Sequence, residues 1–179
     1  MAVKSIFVVG AGTMGNGIAQ TAAVAGYQVT MMDVAAEFVQ RGQATIRKSV
    51  EKLGEKGKLS AEQKEAALAI KSSTTTQDAA AADLIIEAAT ENPELKTKLF
   101  KELDGIAKPE AILASNTSSI SITKLAAATG RPAQVIGMHF FNPVPIMTLL
   151  EVVRGQATSD ETLATALEVG AQMGKTPVV

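Results

Sequence analysis

The chain has 179 residues, 46% of them hydrophobic but only 3% aromatic, with no cysteine, one histidine and a formal net charge of −1. That length suits a single domain whose core is filled by alanine, valine, isoleucine and leucine. The near-neutral balance gives no general attraction to nucleic acid or an anionic membrane, the lack of cysteine excludes disulfides and thiolate chemistry, and a lone histidine excludes a multi-histidine metal centre.

The first strand follows Met1 so closely that no signal peptide fits ahead of it, and no apolar run is long enough to cross a bilayer, so a cytoplasmic protein is expected. The apolar stretch Ile6-Phe7-Val8-Val9 reads as a strand. Gly10-Ala11-Gly12-Thr13-Met14-Gly15 follows at once, and Met14, Ile18, Ala22 and Ala25 are spaced for one buried helix face. A strand, a G-x-G-x-x-G turn and a helix together make the context in which this pattern binds a dinucleotide. Gly10 permits the tight turn, Gly12 lets the backbone approach a pyrophosphate, and Gly15 lets the helix lie close to the strand. The N–H groups that open the helix then face the phosphate charge.

Tyr27 to Met32 reads as a second strand closed by Asp33, near the offset at which an acidic side chain meets the adenosine ribose hydroxyls. The competing role for Asp33 is a cap on the next helix. With no arginine beside it, Asp33 would repel a 2′-phosphate, so the expected cofactor is NAD rather than NADP. A helical pattern runs from Ala35 to about Glu55, is broken at Gly54 and Gly57, and restarts at Ser60 as N-cap. Two helices in succession exceed a minimal crossover, and this helical arm, about residues 35–70, is expected to project from the body. Arg47, Lys48, Lys52, Lys56 and Lys58 make it basic, either for a ligand or simply as a solvated face.

Further strands are expected at Ile70–Thr74, Asp83–Ala88, Ala111–Ala114, Gln134–Phe141 and Met147–Val153, with one more beginning at Thr176. Helices are expected after Asn92-Pro93, over Ile122–Ala128 and over Ser159–Met173, with a helical turn at Ala79–Ala82. The alternation predicts a doubly wound, Rossmann-type α/β domain with a mainly parallel sheet. Ser115-Asn116-Thr117-Ser118-Ser119 lies at a strand's carboxyl end, where open α/β sheets bind ligands, and is longer than capping requires. His139 ends the sixth strand, and Pro143 and Pro145 are expected to hold the exit rigid and extended. A lone histidine in an apolar strand often serves only packing. If the next strand pairs with this one, however, Glu151 fixes its tautomer for general-base work. Ser118, His139 and Glu151 also have the composition of a hydrolase triad, but no G-x-S-x-G elbow accompanies them. Beside an NAD site, alcohol oxidation with hydride transfer is the more economical reading.

Gly10–Gly15, Ala114-Ser115-Asn116-Thr117-Ser118-Ser119 and Gly137-Met138-His139-Phe140-Phe141-Asn142-Pro143-Val144-Pro145 resemble the 3-hydroxyacyl-CoA dehydrogenases, and most closely the bacterial short-chain, 3-hydroxybutyryl-CoA type. The resemblance implies interconversion of (S)-3-hydroxyacyl-CoA and 3-oxoacyl-CoA. His139 would be general acid/base and Glu151 its orienting partner, Ser118 would bond the substrate 3-oxygen, and Asn142 would hold the local geometry. For NAD it implies Gly10, Ala11, Gly12, Thr13, Met14, Gly15, Asp33, Glu91, Lys96, Asn116, Ser118 and Asn142. For the CoA moiety of the acyl-CoA partner it implies Ser49 and Lys56. The family continues beyond a stretch like Lys175–Val179 into a helical domain that closes the cleft, adds a substrate-binding asparagine and forms the homodimer interface. That domain is absent from this chain, so residues 1–179 are expected to be the NAD-binding domain, binding NAD with little turnover. The alternatives are a catalytically silent relative that keeps the fold, as in some lens crystallins, and a dehydrogenase of free hydroxy acids. The latter families place a lysine in the catalytic role.

Overall fold

The computed structural model describes residues 1–179. Eight strands alternate with six helices: β1 Ser5–Val9, α1 Thr13–Val24, β2 Gln28–Met32, α2 Ala36–Glu55, α3 Ala61–Leu68, β3 Lys71–Ser73, β4 Leu84–Glu87, α4 Pro93–Ile106, β5 Ile112–Ser115, α5 Ile122–Ala127, β6 Val135–Phe140, β7 Leu149–Arg154, α6 Asp160–Gln172 and β8 Thr176–Val178. They form one sheet in the order β3-β2-β1-β4-β5-β6-β7-β8. The first six strands are parallel, β7 runs antiparallel to β6, and β8 is parallel to β7. The expected doubly wound, mainly parallel α/β fold is therefore the observed one.

Strands buried on both faces read as continuous apolar runs, and Phe7, Val8, Leu84, Ile85 and Ile86 are almost fully buried. Two cores result. Ile6, Val8, Met31, Ile86, Met138 and Phe140 pack under the α1, α2 and α6 side, while Phe7, Val9, Ile85, Leu113 and Val135 pack with Phe100, Leu103 and Leu125 of α4 and α5. Side-chain caps open α3, α4 and α6. Ser60 and Gln63 form a reciprocal box, Asn92 accepts from Glu94 and Leu95 ahead of Pro93, and Ser159 accepts from Thr162. No helix is long and apolar enough to cross a membrane.

Three local expectations differ from the structure. The helical arm is the α2–α3 pair, and it packs along α1 instead of projecting, because Val39, Ile46, Val50 and Ala67 belong to the core. The turn expected at Ala79–Ala82 sits earlier, as a 3-10 turn at Thr76–Ala79, because the Thr75 hydroxyl caps it and Ser73 bonds Asp78. The exit after Phe141 is folded back, not extended: the Ile146 and Met147 N–H groups both donate to the Pro143 carbonyl, at 3.0 and 2.9 Å. That turn delays β7 to Leu149.

Candidate active site

The carboxyl ends of β1, β4, β5 and β6 open on one edge of the sheet. β1 and β4 are neighbours although β2 and β3 intervene in sequence, so the crevice between their ends is the topological switch point where such sheets take ligands. The glycine loop leaves β1 there. Gly10 adopts φ +109°, and a side chain on it would press the Ala88 carbonyl oxygen at 2.6 Å. A Cβ on Gly15 would come within 1.8 Å of the Gly10 carbonyl oxygen, so helix and loop touch backbone to backbone. A Cβ on Gly12 would meet no protein atom within 4 Å. Its surroundings are open, as approach by a pyrophosphate requires. Gly12 also caps α1 without any side-chain bond, which leaves the first N–H groups of Thr13, Met14 and Gly15 free for an anion.

Asp33 ends β2 and fixes this loop. One carboxylate oxygen accepts the Ala11 N–H at 2.9 Å and the other the Val34 N–H at 2.7 Å. It does not cap α2, whose N-cap is Ala35. Gly10, Met32, Asp33, Thr74 and Ala89 are among the residues around a depression of about 390 Å³ beside the switch point, and no lysine or arginine lines it. The open Gly12, the uncapped helix start and this unpaired acidic wall fit a dinucleotide without a 2′-phosphate.

The polar run after β5 divides its labour. Ser115 is fully buried and donates to Glu87 at 2.6 Å, and Asn116 accepts the Phe140 N–H at 2.8 Å, tying the β5 exit to β6. Thr117 and Ser119 both donate to one Glu91 oxygen, at 2.9 and 3.0 Å. Between them the exposed Ser118 hydroxyl is committed to no such bond. Lys96, expected at the cofactor ribose groups, is instead buried, 1% exposed. Its ammonium contacts both oxygens of Glu87 at 2.7 Å and one of Glu91 at 3.3 Å. Its charge is paired within the chain, and it supports Glu91 from below. Burial pushes the Glu91 carboxyl up, but the Thr117 hydroxyl, the Lys96 ammonium and the Ser119 hydroxyl outweigh it and hold the group below the ordinary carboxylate value. Sequence reasoning missed Glu87 and Thr117. The available signal was a carboxylate closing an otherwise apolar buried strand, which requires a partner.

His139 and Glu151 are register partners across the antiparallel β6–β7 pair, and His139 Nδ1 lies 3.0 Å from Glu151 Oε1. The imidazole is 21% exposed and its ring sits 4.5 Å from that of Phe141. With Nδ1–H donating to the carboxylate, the unprotonated Nε2 is left to take a proton. Asn142 follows on the exposed start of the loop, and its peptide bond to Pro143 is cis. Ser118 comes from the neighbouring strand end, because β5 pairs with β6.

A second cleft, of about 220 Å³, adjoins Asn142. Its walls include Thr13 and Asn16 of α1, Ser49 and Lys52 of α2, Lys56 at the C-cap of α2, and the Pro143–Ile146 loop. The Ser49 hydroxyl accepts from Gln20 at 2.9 Å. Ser49 and Lys56 thus meet Asn142 around one space. Lys52, noted in the sequence only as one of the arm's basic residues, joins them. Its spacing of three and four residues from Ser49 and Lys56 places all three on one helix face.

The family model described as 3-hydroxyacyl-CoA dehydrogenase, NAD binding domain, matches residues 5–179. The chain is 54% identical over 171 residues to a probable 3-hydroxybutyryl-CoA dehydrogenase of Deinococcus radiodurans, covering 96% of this chain and 62% of that protein. It is 51% identical over 179 residues to a probable 3-hydroxybutyryl-CoA dehydrogenase of Bacillus subtilis, covering 99% of this chain and again 62% of the relative. The crystal structure of (S)-3-hydroxybutyryl-CoA dehydrogenase from Ralstonia eutropha superposes with a TM-score of 0.96 at 53% identity, over 99% of this chain and 63% of that one. The chain thus spans somewhat less than two thirds of these proteins. A glycine loop braced by Asp33 and a histidine strand braced by Glu151 share one sheet edge, and with these likenesses they place the chain in the 3-hydroxyacyl-CoA dehydrogenase family, as its NAD-binding domain.

Proposed function

We propose that residues 1–179 hold NAD and carry the acid/base half of a dehydrogenase acting on short 3-hydroxyacyl-CoA thioesters, as the names of its relatives indicate for those proteins. The observation that carries the reading is the in-register His139–Glu151 pair beside the switch-point crevice. NAD supplies the hydride acceptor. Gly12 and the free N–H groups at the start of α1 would receive its phosphates, and Asp33 and Glu91 would provide carboxylates for its ribose hydroxyls. Ser118 donates to the substrate 3-oxygen, with Thr117 and Ser119 held by Glu91 on either side of it. In the oxidative direction Nε2 of His139 takes the substrate hydroxyl proton, while bound NAD would be the acceptor for the C3 hydride. The positive charge so formed is stabilised by Glu151. Asn142 stands where the cofactor crevice meets the second cleft, in which Lys52 and Lys56 pair with CoA phosphates and Ser49 adds a hydroxyl. The whole protein is proposed to be a cytoplasmic homodimer.

Titration by calorimetry with NADH and NADPH, beside acetoacetyl-CoA and free acetoacetate, tests this reading. The expected result is binding of NADH in clear preference to NADPH, and of the thioester in preference to the free acid. Equal binding of the two nucleotides, or of the thioester and the free acid, would sink it.

A further inference from the structure

Lys175, immediately before β8, is nine-tenths buried and takes no part in the mechanism above. Its ammonium donates to the backbone carbonyls of Val144 at 2.5 Å and Met147 at 2.7 Å. No carboxylate lies within ion-pair distance of it. Burial pulls its pKa below the usual lysine range. An ammonium without a counter-charge is costly to bury, and a neutral donor would serve two carbonyls at lower cost, so stability alone does not account for this residue. Charge-assisted bonds are stronger than neutral ones and hold their acceptors in tighter geometry.

Those two carbonyls belong to the loop between β6 and β7. The loop begins beside Asn142, and its Pro143–Ile146 stretch is one wall of the second cleft. Val144 fastens the loop on its other side, where a Cβ on Gly17 of α1 would come 2.9 Å from the Val144 Cβ. The Lys175 backbone is itself anchored, its N–H donating to the Gly170 carbonyl at 3.0 Å. The lysine therefore joins a fixed point at the α6–β8 junction to a loop that has no strand or helix pairing of its own.

We propose that Lys175 is a positioning residue that sets this loop as the wall of the acyl-CoA cleft, opposite Ser49, Lys52 and Lys56. The inference rests on the function proposed above. It bears more on the thioester than on NADH, because of the NADH anchors only Thr13 and Asn142 reach this cleft while Asp33 lines a different depression, whereas the thioester's CoA portion lies against the wall itself.

The test compares the parent chain with K175M, which keeps the stem but has no donor, and K175R, which restores donors and charge. Acetoacetyl-CoA and NADH are titrated by calorimetry, and amide hydrogen exchange is followed at Ile146 and Met147. In K175M, acetoacetyl-CoA binding is expected to weaken about tenfold, with NADH affinity held within about twofold. Exchange at the two amides should rise, and K175R should recover most of the affinity. Unchanged acetoacetyl-CoA affinity in K175M overturns the proposal, and so does an equal loss for both ligands, which marks a general structural role. Should K175M fail to fold, K175Q takes its place with the same expectations. Failure of the parent chain to bind acetoacetyl-CoA at all would overturn the acyl-CoA reading itself, a result distinguishable from one confined to the variants.

Discussion

His139 owes its use to which of its nitrogens is occupied. Glu151 holds Nδ1 from directly across the strand pair, so in the proposed reaction the proton-accepting role falls to Nε2. Replacing Glu151 with glutamine keeps the shape but removes the charge that stabilises the imidazolium. E151Q should therefore lower acetoacetyl-CoA reduction by about 100-fold while leaving NADH affinity within about twofold. Steady-state assay beside titration checks both. Asp33 braces the Ala11 N–H and places a carboxylate on the crevice wall, and it is proposed to set cofactor choice in this way. In D33S the NADH affinity should fall about tenfold and the preference over NADPH should narrow, as read by fluorescence titration. At this scale much was legible in the sequence. The glycines, Asp33 and His139 announce themselves by local spacing, whereas Glu87 does not, because its partners Lys96 and Ser115 come from two other elements. The burial of Lys96 was hidden for the same reason: the carboxylate that draws it inward is invisible in the surrounding sequence.

Elements meet here through a few backbone contacts that tolerate no added atoms. The β1–α1 junction depends on Gly15 lying against Gly10, so Gly15→Ala forces the helix away from the strand that carries the loop. The variant should lose NADH binding and melt at lower temperature, with a destabilisation of about 2 kcal/mol. At the opposite edge, Asp83 joins β1, β4 and the α4–β5 connection by accepting from the Lys4 and Ser5 N–H groups and pairing with Lys108. Burial raises its carboxyl, but the Lys108 ammonium and the two N–H donors prevail and hold it at about 2, against an ordinary 3.8. A lowered value stabilises the fold above the unfolded-state pKa and loses that contribution as pH falls through the folded one. The contribution, about 2 kcal/mol, is thus full above roughly pH 4 and disappears toward pH 2. D83N should be less stable than the parent by about that amount at neutral pH, with the gap closing across this acid window in urea titrations. The arm shows where reading by element stopped. Periodicity identified α2 and α3 correctly, but the packing of Val39, Ile46 and Val50 onto the body required knowing that α1 lies beneath them. The turned exit after Phe141 was likewise hidden, because two prolines are as compatible with a tight turn as with an extended strand.

On the scale of the whole molecule, the chain supplies a crevice for NAD and a proton acceptor, while its relatives are longer by more than half of its own length. Ile146 and Met147 of the loop that borders the second cleft, with Leu149, Val153 and Val178 of β7 and β8, stand exposed. Hydride transfer needs a held substrate and excluded water, and both clefts here are open. The fold class was legible throughout because alternating strands and helices leave few topologies. The division of roles along Ser115–Ser119 became visible only once β4, β5 and α4 were brought together. The most direct measurement of the central claim is NADH consumption by acetoacetyl-CoA at high concentrations of this chain, run in parallel with H139Q and with free acetoacetate. The account predicts slow consumption that H139Q abolishes and acetoacetate does not support. An equal rate in H139Q, or an equal rate with the free acid, would contradict it.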